Sequence, residues 1–539
     1  MILTPEHLVI APILIPFITG VLLLFFEDRE RRLKASASIL ATIALLMVSI
    51  ELLQISHTDG GRVVVYLLGN WPSPFAINLV LDRLSAMMLI LTSVLAIPAL
   101  IFSLGRWHRA GLHFHTLFLL LLMGLNGAFL TGDLFNLFVF FEVMLAASYG
   151  LALHGSGLLR VKAGLHYIAI NLAASLLFLV GVSLIYGNTG TLSMADLAIR
   201  IPQIAEENRI ILESGIAILG VAFLIKAGMW PLGFWLPTTY TFAPAPVAAI
   251  LTIMSKVGIY VLLRLSLLFF GEEPGISGGF GSPILFFGGL ATIVFGIIGV
   301  LASQALGRLA GFSVLVSSGT LLAIIGLTQV DITAAALFYL VSSTLAISAF
   351  FMLIELVERE QSAISNVLAV TKEAFGEGDE EEEDEEIIGV AIPGSIAILG
   401  ISFVACSILL AGLPPLSGFI AKFAILTAIL NPEGGAISSA SWWLIALLIL
   451  SGLSALIAMV RAGIRTFWAP AVALVPRVLL IEIVPVVMLL FMTLALTVQA
   501  GPIMHFMEAT AVSLHEPRSY IEGVLKAPPA APWQMETEE

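Results

Sequence analysis

Charge is scarce in this sequence. Of its 539 residues only 11% are Asp, Glu, Lys or Arg, while 59% are hydrophobic. A soluble chain is normally about a quarter charged, so a water-facing globule of this length is excluded. Cysteine is scarcer still: Cys406 alone, inside an apolar segment, rules out a disulfide within the chain and any CxxC pair. The nine histidines are scattered without ligand spacing, so iron–sulfur, haem and zinc sites have no support. No glycine-rich phosphate loop is present either, and no nucleotide or other cofactor is expected. Nothing points to nucleic acid. The formal net charge of −13 says little about partners, because the acidic run 377–386 supplies much of it.

What the sequence has instead is apolar length. About fourteen segments are each long enough to cross a hydrocarbon core of about 30 Å. They run roughly 6–26, 36–55, 82–104, 113–131, 133–153, 164–186, 211–233, 243–269, 282–302, 307–327, 331–356, 390–411 (continuing past a break to about 430), 442–468 and 478–499. The expected fold is therefore an all-α polytopic bundle whose solvent is mostly lipid. The opening MILTPEHLVIAPILIPFITGVLLLFF has no basic n-region and no small-residue cleavage site, and reads as a retained first helix. Lys and Arg set the orientation: with fourteen spans, about 14 basic residues fall in cytoplasmic loops and about 6 outside. Arg29, Arg31, Arg32 and Lys34 follow the first span, and Arg461, Arg465 and Arg477 follow the thirteenth. Both termini are thus expected outside, and the acidic loop inside as a solvated hydrophilic segment. The tail after Gln499 reads as peripheral.

Two apolar segments are interrupted alike. FLIKAGMWPLGFWLP carries Pro231 and Gly233, and LLAGLPPLSGFIAKFAIL carries Pro414, Pro415 and Gly418. Proline removes a donor and clashes with the preceding turn, so both helices should unwind there. Unwound backbone at membrane depth is tolerated only where protein or water lines it, and a pair of such breaks points to an internally repeated transporter.

A charged side chain in mid-membrane is expensive and reads as functional by default. Glu142 lies nine residues after Asp133, roughly 13 Å into the membrane at 1.5 Å per residue. Lys226 stands five residues before Pro231, Lys256 ten after Pro246 and eight before Arg264, and Lys422 just past the second break. Desolvation draws a lysine and a glutamate toward neutral pH, and a nearby opposite charge restores the charged form. A row of such groups, wetted at broken helices, can pass protons. Asp133 could line the approach, although an acid at a helix start also serves as a cap. His166 could join the row or simply pack. Asp82 and Arg83 read as ordinary flanking charges, and Arg264 as a snorkelling one.

The runs GDLFNLFVFFEVM, FLIKAGMWPLGFWLPTTYTFAPAPVAAIL, MSKVGIYVLLR and GLPPLSGFIAKF resemble the antiporter-like subunits of respiratory complex I and of multisubunit cation/proton antiporters. GNWPSPFAINLVLDRLSAMM and ASQALGRLAGFSVLVSSGT look most like the D-type subunit of the Mrp (Pha) antiporters. The resemblance covers nearly the whole chain. It implies two inverted five-helix repeats, the fourth to eighth and ninth to thirteenth helices, with the seventh and twelfth broken. The chain then divides into residues 1–110 (first three helices), 111–270 (first repeat), 271–470 (second repeat, with the acidic loop in 357–389) and 471–539 (last helix and tail). It also implies a bacterial inner-membrane location and partner subunits of the A, B, C, E, F and G types, with protons and Na⁺ or K⁺ moved. Glu142 would pair with Lys226, Lys256 would be the middle of the relay and Lys422 its end. The alternative is the pumping subunit of complex I or a membrane-bound hydrogenase. Two departures stand out. Where relatives read DLKRLLAYSS this chain has ALGRLAGFSV, and Ser343 and Ile347 fall where relatives carry His and Lys. Ser317, Ser318, Ser342, Ser343 and ordered water are the groups left to bridge that gap. No cluster of carboxylates suited to a sodium ion is visible, and a bound metal remains unassigned.

Overall fold

The computed structural model describes residues 5–27, 30–58, 61–75, 77–271, 277–375, 394–431, 437–468 and 478–529. The acidic run 377–386 lies outside these. The chain is an all-α, multi-pass membrane fold. Its principal helices are α1 (Ala11–Leu22), α2 (Arg31–His57), α3 (Arg83–Gly105), α4 (Phe114–Leu130), α5 (Leu134–Ala152) and α6 (Leu158–Thr189). Next come α7 (Glu206–Ala227), α8 (Trp235–Phe242), α9 (Ala245–Phe270), α10 (Ser282–Ala302), α11 (Leu306–Ile325) and α12 (Val330–Phe375). The last group is α13 (Gly394–Ala411), α14 (Ser417–Leu430), α15 (Ser439–Gly463), α16 (Leu480–Val498), α17 (Ala500–His515) and α18 (Arg518–Leu525). Among the described residues 12 helices are long and apolar enough to cross a membrane, and α1, α4 and α14 belong to shorter apolar helices.

Two helices form the interior. The most apolar stretch of α9 is buried along its whole length, and that of α12 nearly so. They touch each other; α3, α7 and α11 pack around α9, and α11, α13, α14, α16 and α17 around α12. A helix apolar all round and shielded from lipid by other helices is where an ionisable side chain meets protein or trapped water rather than hydrocarbon. Lys256 and Arg264 both lie on α9.

Two features depart from expectation. An antiparallel hairpin, β1 (Val64–Leu67) with β2 (Asn78–Leu81), pairs Val64 with Leu81 and Leu67 with Asn78. Among the described residues, which end at 529, the expected peripheral tail is instead two packed helices. Met507, Thr510, Ala511 and Leu514 recur every three or four residues and are buried, so α17 has an apolar stripe that must be covered. It docks on α12, the Arg83 guanidinium donates to the Ala509 carbonyl at 3.1 Å, and Thr333 meets His515 at 3.1 Å.

Both proline interruptions end a helix in the same manner. After α7, Gly228 takes φ +78°, and the N–H groups of Gly228 and Met229 turn back to the Ile225 and Leu224 carbonyls. After α13, Gly412 takes φ +74°, and the N–H groups of Gly412 and Leu413 both turn back to Ile408. These are left-handed helix ends of the kind glycine makes without steric cost. Gly233 and Gly418 then carry the returning chain so close that a Cβ on either would collide with a carbonyl, that of Gly228 or of Leu409.

Candidate functional site

Glu142 is held by α5, whose start is fixed by Asp133: its Oδ1 accepts from the Asn136 N–H at 2.8 Å. Burial raises the Asp133 carboxyl above its ordinary value, against the hydrogen bonds from Asn136 and Phe135. Asp133 is a cap at the α5 N-terminus, where an acid also meets the positive end of the helix dipole. Glu142 itself is half-buried, and its Oε1 has no hydrogen-bond partner.

Lys226, in the last turn of α7, is 7% exposed. Its ammonium donates to Asn171 Oδ1 of α6 at 2.8 Å and stands 5.8 Å from the centre of the Phe141 ring. Glu142 acts on it electrostatically, but no direct ion pair closes between them. Asn171 is the partner that sequence reasoning missed. An Asn in a lipid-bounded span is itself a signal, because such side chains are kept to bond across helices.

α9 approaches α7 where Gly258 faces it. A Cβ at Gly258 would lie 2.9 Å from both the Ala227 nitrogen and the Phe223 carbonyl, and 3.3 Å from the Lys226 Cβ. Two residues before Gly258 on the same helix, Lys256 is fully buried and donates to Ser317 Oγ of α11 at 2.7 Å. Ser317 Oγ is in turn 3.0 Å from Ser343 Oγ of α12. The two serines line a small cavity whose wall also carries Lys422. Tyr339, Ser342, Ser451 and Ser454 also line it, as does Ile347. Ser342 bonds Ser417, the first residue of α14, at 2.9 Å. The hydroxyls give a water several partners each, which is what a polar cavity needs to hold one.

Lys422 closes the row. Its ammonium donates to the carbonyls of Ala411 at 3.1 Å and Leu410 at 3.4 Å. These are end carbonyls of α13, left without helical N–H partners by the interruption at Gly412. A cation at the negative end of a helix is favourable, which explains why a lysine rests there.

The remaining candidates are not gathered in. His166 is exposed on α6. Ser318 is buried with its hydroxyl unbonded. Arg264 does not snorkel; it is 6% exposed and grips Asp82 through two contacts, of 2.8 and 2.9 Å. Tyr260 joins them, accepting from Arg264 at 3.1 Å and donating to the Phe129 carbonyl at 2.6 Å.

Residues 131–454, which contain Glu142, Lys226, Lys256 and Lys422, match the family model described as NADH:quinone oxidoreductase/Mrp antiporter, TM. The chain belongs to this family. It is 59% identical over 532 residues to the D-type subunit of a probable K(+)/H(+) antiporter from Rhizobium meliloti, covering 97% of this chain and 98% of that one. With the D-type subunit of the Na(+)/H(+) antiporter from Alkalihalophilus pseudofirmus the identity is 36% over 534 residues, or 97% and 100% of the two chains. Its fold overlays a chain of the Mrp complex from Dietzia sp. with a TM-score of 0.80 at 24% identity, covering 97% of this chain and 100% of that one. For a chain of respiratory complex I from Thermus thermophilus the TM-score is 0.73 at 22% identity, covering 94% and 99%. Within the NADH:quinone oxidoreductase/Mrp antiporter family, this chain has Ser343 bonded to Ser317, and Ile347 lining the same cavity.

Proposed function

We propose that this chain is the proton-translocating subunit of an Mrp-type multisubunit cation/proton antiporter, and that Glu142, Lys226, Lys256 and Lys422 are its relay. The observation that carries the reading is the run Lys256–Ser317–Ser343 opening onto the Lys422 cavity, at 2.7 and 3.0 Å. Buried lysines bonded only to neutral groups change protonation state at modest cost, because no fixed counter-charge holds the proton. Asn171 and Ser317 orient the two ammonium groups. Glu142, with an unbonded oxygen facing the protein interior, delivers or withdraws negative charge at Lys226 as its proton comes and goes. Serines and water carry the proton from Lys256 to Lys422. Asp133 is a cap beside the approach to Glu142 in this scheme, and His166 and Ser318 stand apart from it.

The finer architecture follows the family. We take the bundle as fourteen spans, with two inverted repeats in residues 111–270 and 271–470, residues 1–110 before them and 471–539 after. The like-built ends at Gly228 and Gly412 support this, as paired breaks near a transport path do in repeated transporters. Partner subunits of the A, B, C, E, F and G types, both termini outside and a cytoplasmic acidic loop belong to the same reading. The cation is K⁺ or Na⁺. The 59% identity to a chain of a probable K(+)/H(+) antiporter favours K⁺, and also favours an antiporter over a pumping subunit of complex I or a hydrogenase. Chains that copurify decide the latter point: iron–sulfur proteins would reverse it.

The deciding experiment is cation-dependent proton flux in vesicles carrying the whole complex, wild type against Glu142→Gln. The exchange removes a charge with little change of volume. Flux should collapse while the complex still assembles, and the same assay ranks K⁺ against Na⁺. Flux at the wild-type level would make Glu142 a packing charge.

A further inference from the structure

Away from this line of lysines, three ring nitrogens meet one cavity without a partner. The cavity is small and is lined by Arg31 and Lys34 of α2, His108 after α3, and His113, His115 and Thr116 at the start of α4. His115 is 4% exposed, and neither of its ring nitrogens is hydrogen-bonded. Nδ1 of His108 is likewise buried and unbonded. Buried polar atoms are nearly always satisfied, so a group of orphans around one hollow marks a missing partner.

The tautomer of His108 says what kind of partner. Arg109 Nε donates to His108 Nε2 at 3.1 Å. A guanidinium has no acceptor, so Nε2 offers its lone pair and the proton sits on Nδ1. That Nδ1–H is a donor in need of an acceptor and has no lone pair for a metal. Among the described residues, moreover, no group of three or more His, Cys, Asp or Glu is placed to hold a metal ion. His115 contributes an N–H in either neutral tautomer. The first turn of α4 lacks a side-chain cap, so its free amides and the positive end of its dipole add to the same field. Arg31, exposed at the rim, supplies a full positive charge.

We propose that this cavity is an oxyanion site for a phosphate group, held by the N–H groups of His108 and His115, the amides of the α4 first turn and the Arg31 guanidinium. It sits where α2 and α4 begin and α3 ends, at the ends of three apolar helices. The phosphate comes from an anionic phospholipid or from solution, and the chemistry of recognition is the same. Occupied, the site ties α2, α3 and α4 together at one edge of the bundle.

The test uses the assembled complex, wild type beside Arg31→Gln, His108→Gln and His115→Phe. In one arm phosphatidylglycerol is titrated into phosphatidylcholine nanodiscs and retained lipid is counted by native mass spectrometry. In the other, inorganic phosphate is titrated in detergent and binding is followed by calorimetry. Wild type should bind at least one probe, and Arg31→Gln and His108→Gln should weaken it roughly tenfold or more, the scale of a lost charge-assisted bond. Binding of the lipid alone identifies a headgroup site; binding of inorganic phosphate as well identifies a site for the free anion. The Arg31 change is at an exposed position and leaves the fold intact, so it decides the matter even where a histidine variant fails to assemble. No binding of either probe to wild type, or equal binding by Arg31→Gln, overturns the proposal.

Discussion

Ser317→Ala tests the second half of the relay more sharply than removing a lysine would. Lys256 is fully buried, and its ammonium donates to Ser317 Oγ at 2.7 Å. A hydrogen bond to a charged group contributes about 1.5–3 kcal/mol. If the protonated lysine lies on the transport path, its free energy rises by that amount when the hydroxyl is removed. At tenfold per ~1.4 kcal/mol, the flux should fall about 10- to 100-fold. Ser343 stands 3.0 Å beyond Ser317, and water in the adjoining cavity can take over part of the bond, so the lower end of that range is expected. The assay is proton uptake by proteoliposomes holding the whole complex, started by adding cation, with subunit stoichiometry checked on the same sample. Ser343→Ala should slow transport too. The double variant should cost less than the two single effects together, since both remove one bridge. Thr344→Val is the control, because that hydroxyl bonds the Leu340 carbonyl of its own helix. Ser317→Ala flux within twofold of wild type, in an assembled complex, would refute the role given to the serines.

Asn171→Leu strips Lys226 of its hydrogen bond while keeping the volume of the side chain. Flux should drop by about 10- to 100-fold on the same reasoning, without loss of assembly; a variant that transports normally makes Asn171 a packing residue. Asp82→Asn breaks the bidentate pair with buried Arg264, which typically costs about 3–5 kcal/mol. Its effect should be a loss of assembled protein, read by size exclusion and thermal unfolding, rather than selective loss of flux. Burial pushes the Asp82 carboxyl up, yet Arg264 and Ser85 outweigh it and hold the group below its ordinary value. A carboxyl depressed in the folded state contributes stability above its unfolded value, about 3.9, and loses it as the pH falls through the folded value. Wild type should therefore keep this contribution across the neutral and mildly acidic range, and the difference from Asp82→Asn should shrink only below about pH 4. A difference that already vanishes by pH 6 would mean that the pair is not ionised as drawn.

The bundle was legible because apolar length survives any packing: each segment drawn from the sequence contains a helix where the residues are described. Proline and glycine act locally, and helices end just before Pro231 and Gly233 and just before Pro415 and Gly418. Glu142 and the three lysines stood out because a charge in an apolar run is costly and needs either a structural partner or a function. What one sequence could not give was partnership across helices. Asn171 is 55 residues from Lys226, and Ser317 is 61 from Lys256, so no local pattern joins them. Arg264 was misread for the same reason: its distance from a helix end suggested snorkelling, while Asp82 waited 182 residues away. The tail misled through composition. APPAAP and the terminal acids colour the last residues, but the stripe Met507, Ala511, Leu514 belongs to a helix that must be covered.

The two ends of the row are built on different physics, and Lys422 shows it. In the proposed relay Glu142 and Lys226 act as opposite charges, with Asn171 as the neutral hydrogen-bond partner of the lysine. Lys422 has instead the two end carbonyls of α13, Leu410 and Ala411, exposed because Gly412 stops the helix. The partner of this cation is a backbone dipole, fixed in place and unable to ionise, so in the proposed relay the lysine would give up its proton without leaving a second charge unpaired. The same geometry makes an acid unsuitable there. A carboxylate at 422 would face two carbonyl oxygens, turning an attraction of up to about 2 kcal/mol at a partly buried helix end into repulsion. Lys422→Glu should therefore abolish flux at neutral pH and lower the unfolding temperature of the complex. Lys422→Gln, which still donates to both carbonyls, should lose flux but keep the wild-type unfolding temperature. Wild-type flux in Lys422→Glu, or equal destabilisation by the two substitutions, would show that the end carbonyls of α13 do not hold this lysine.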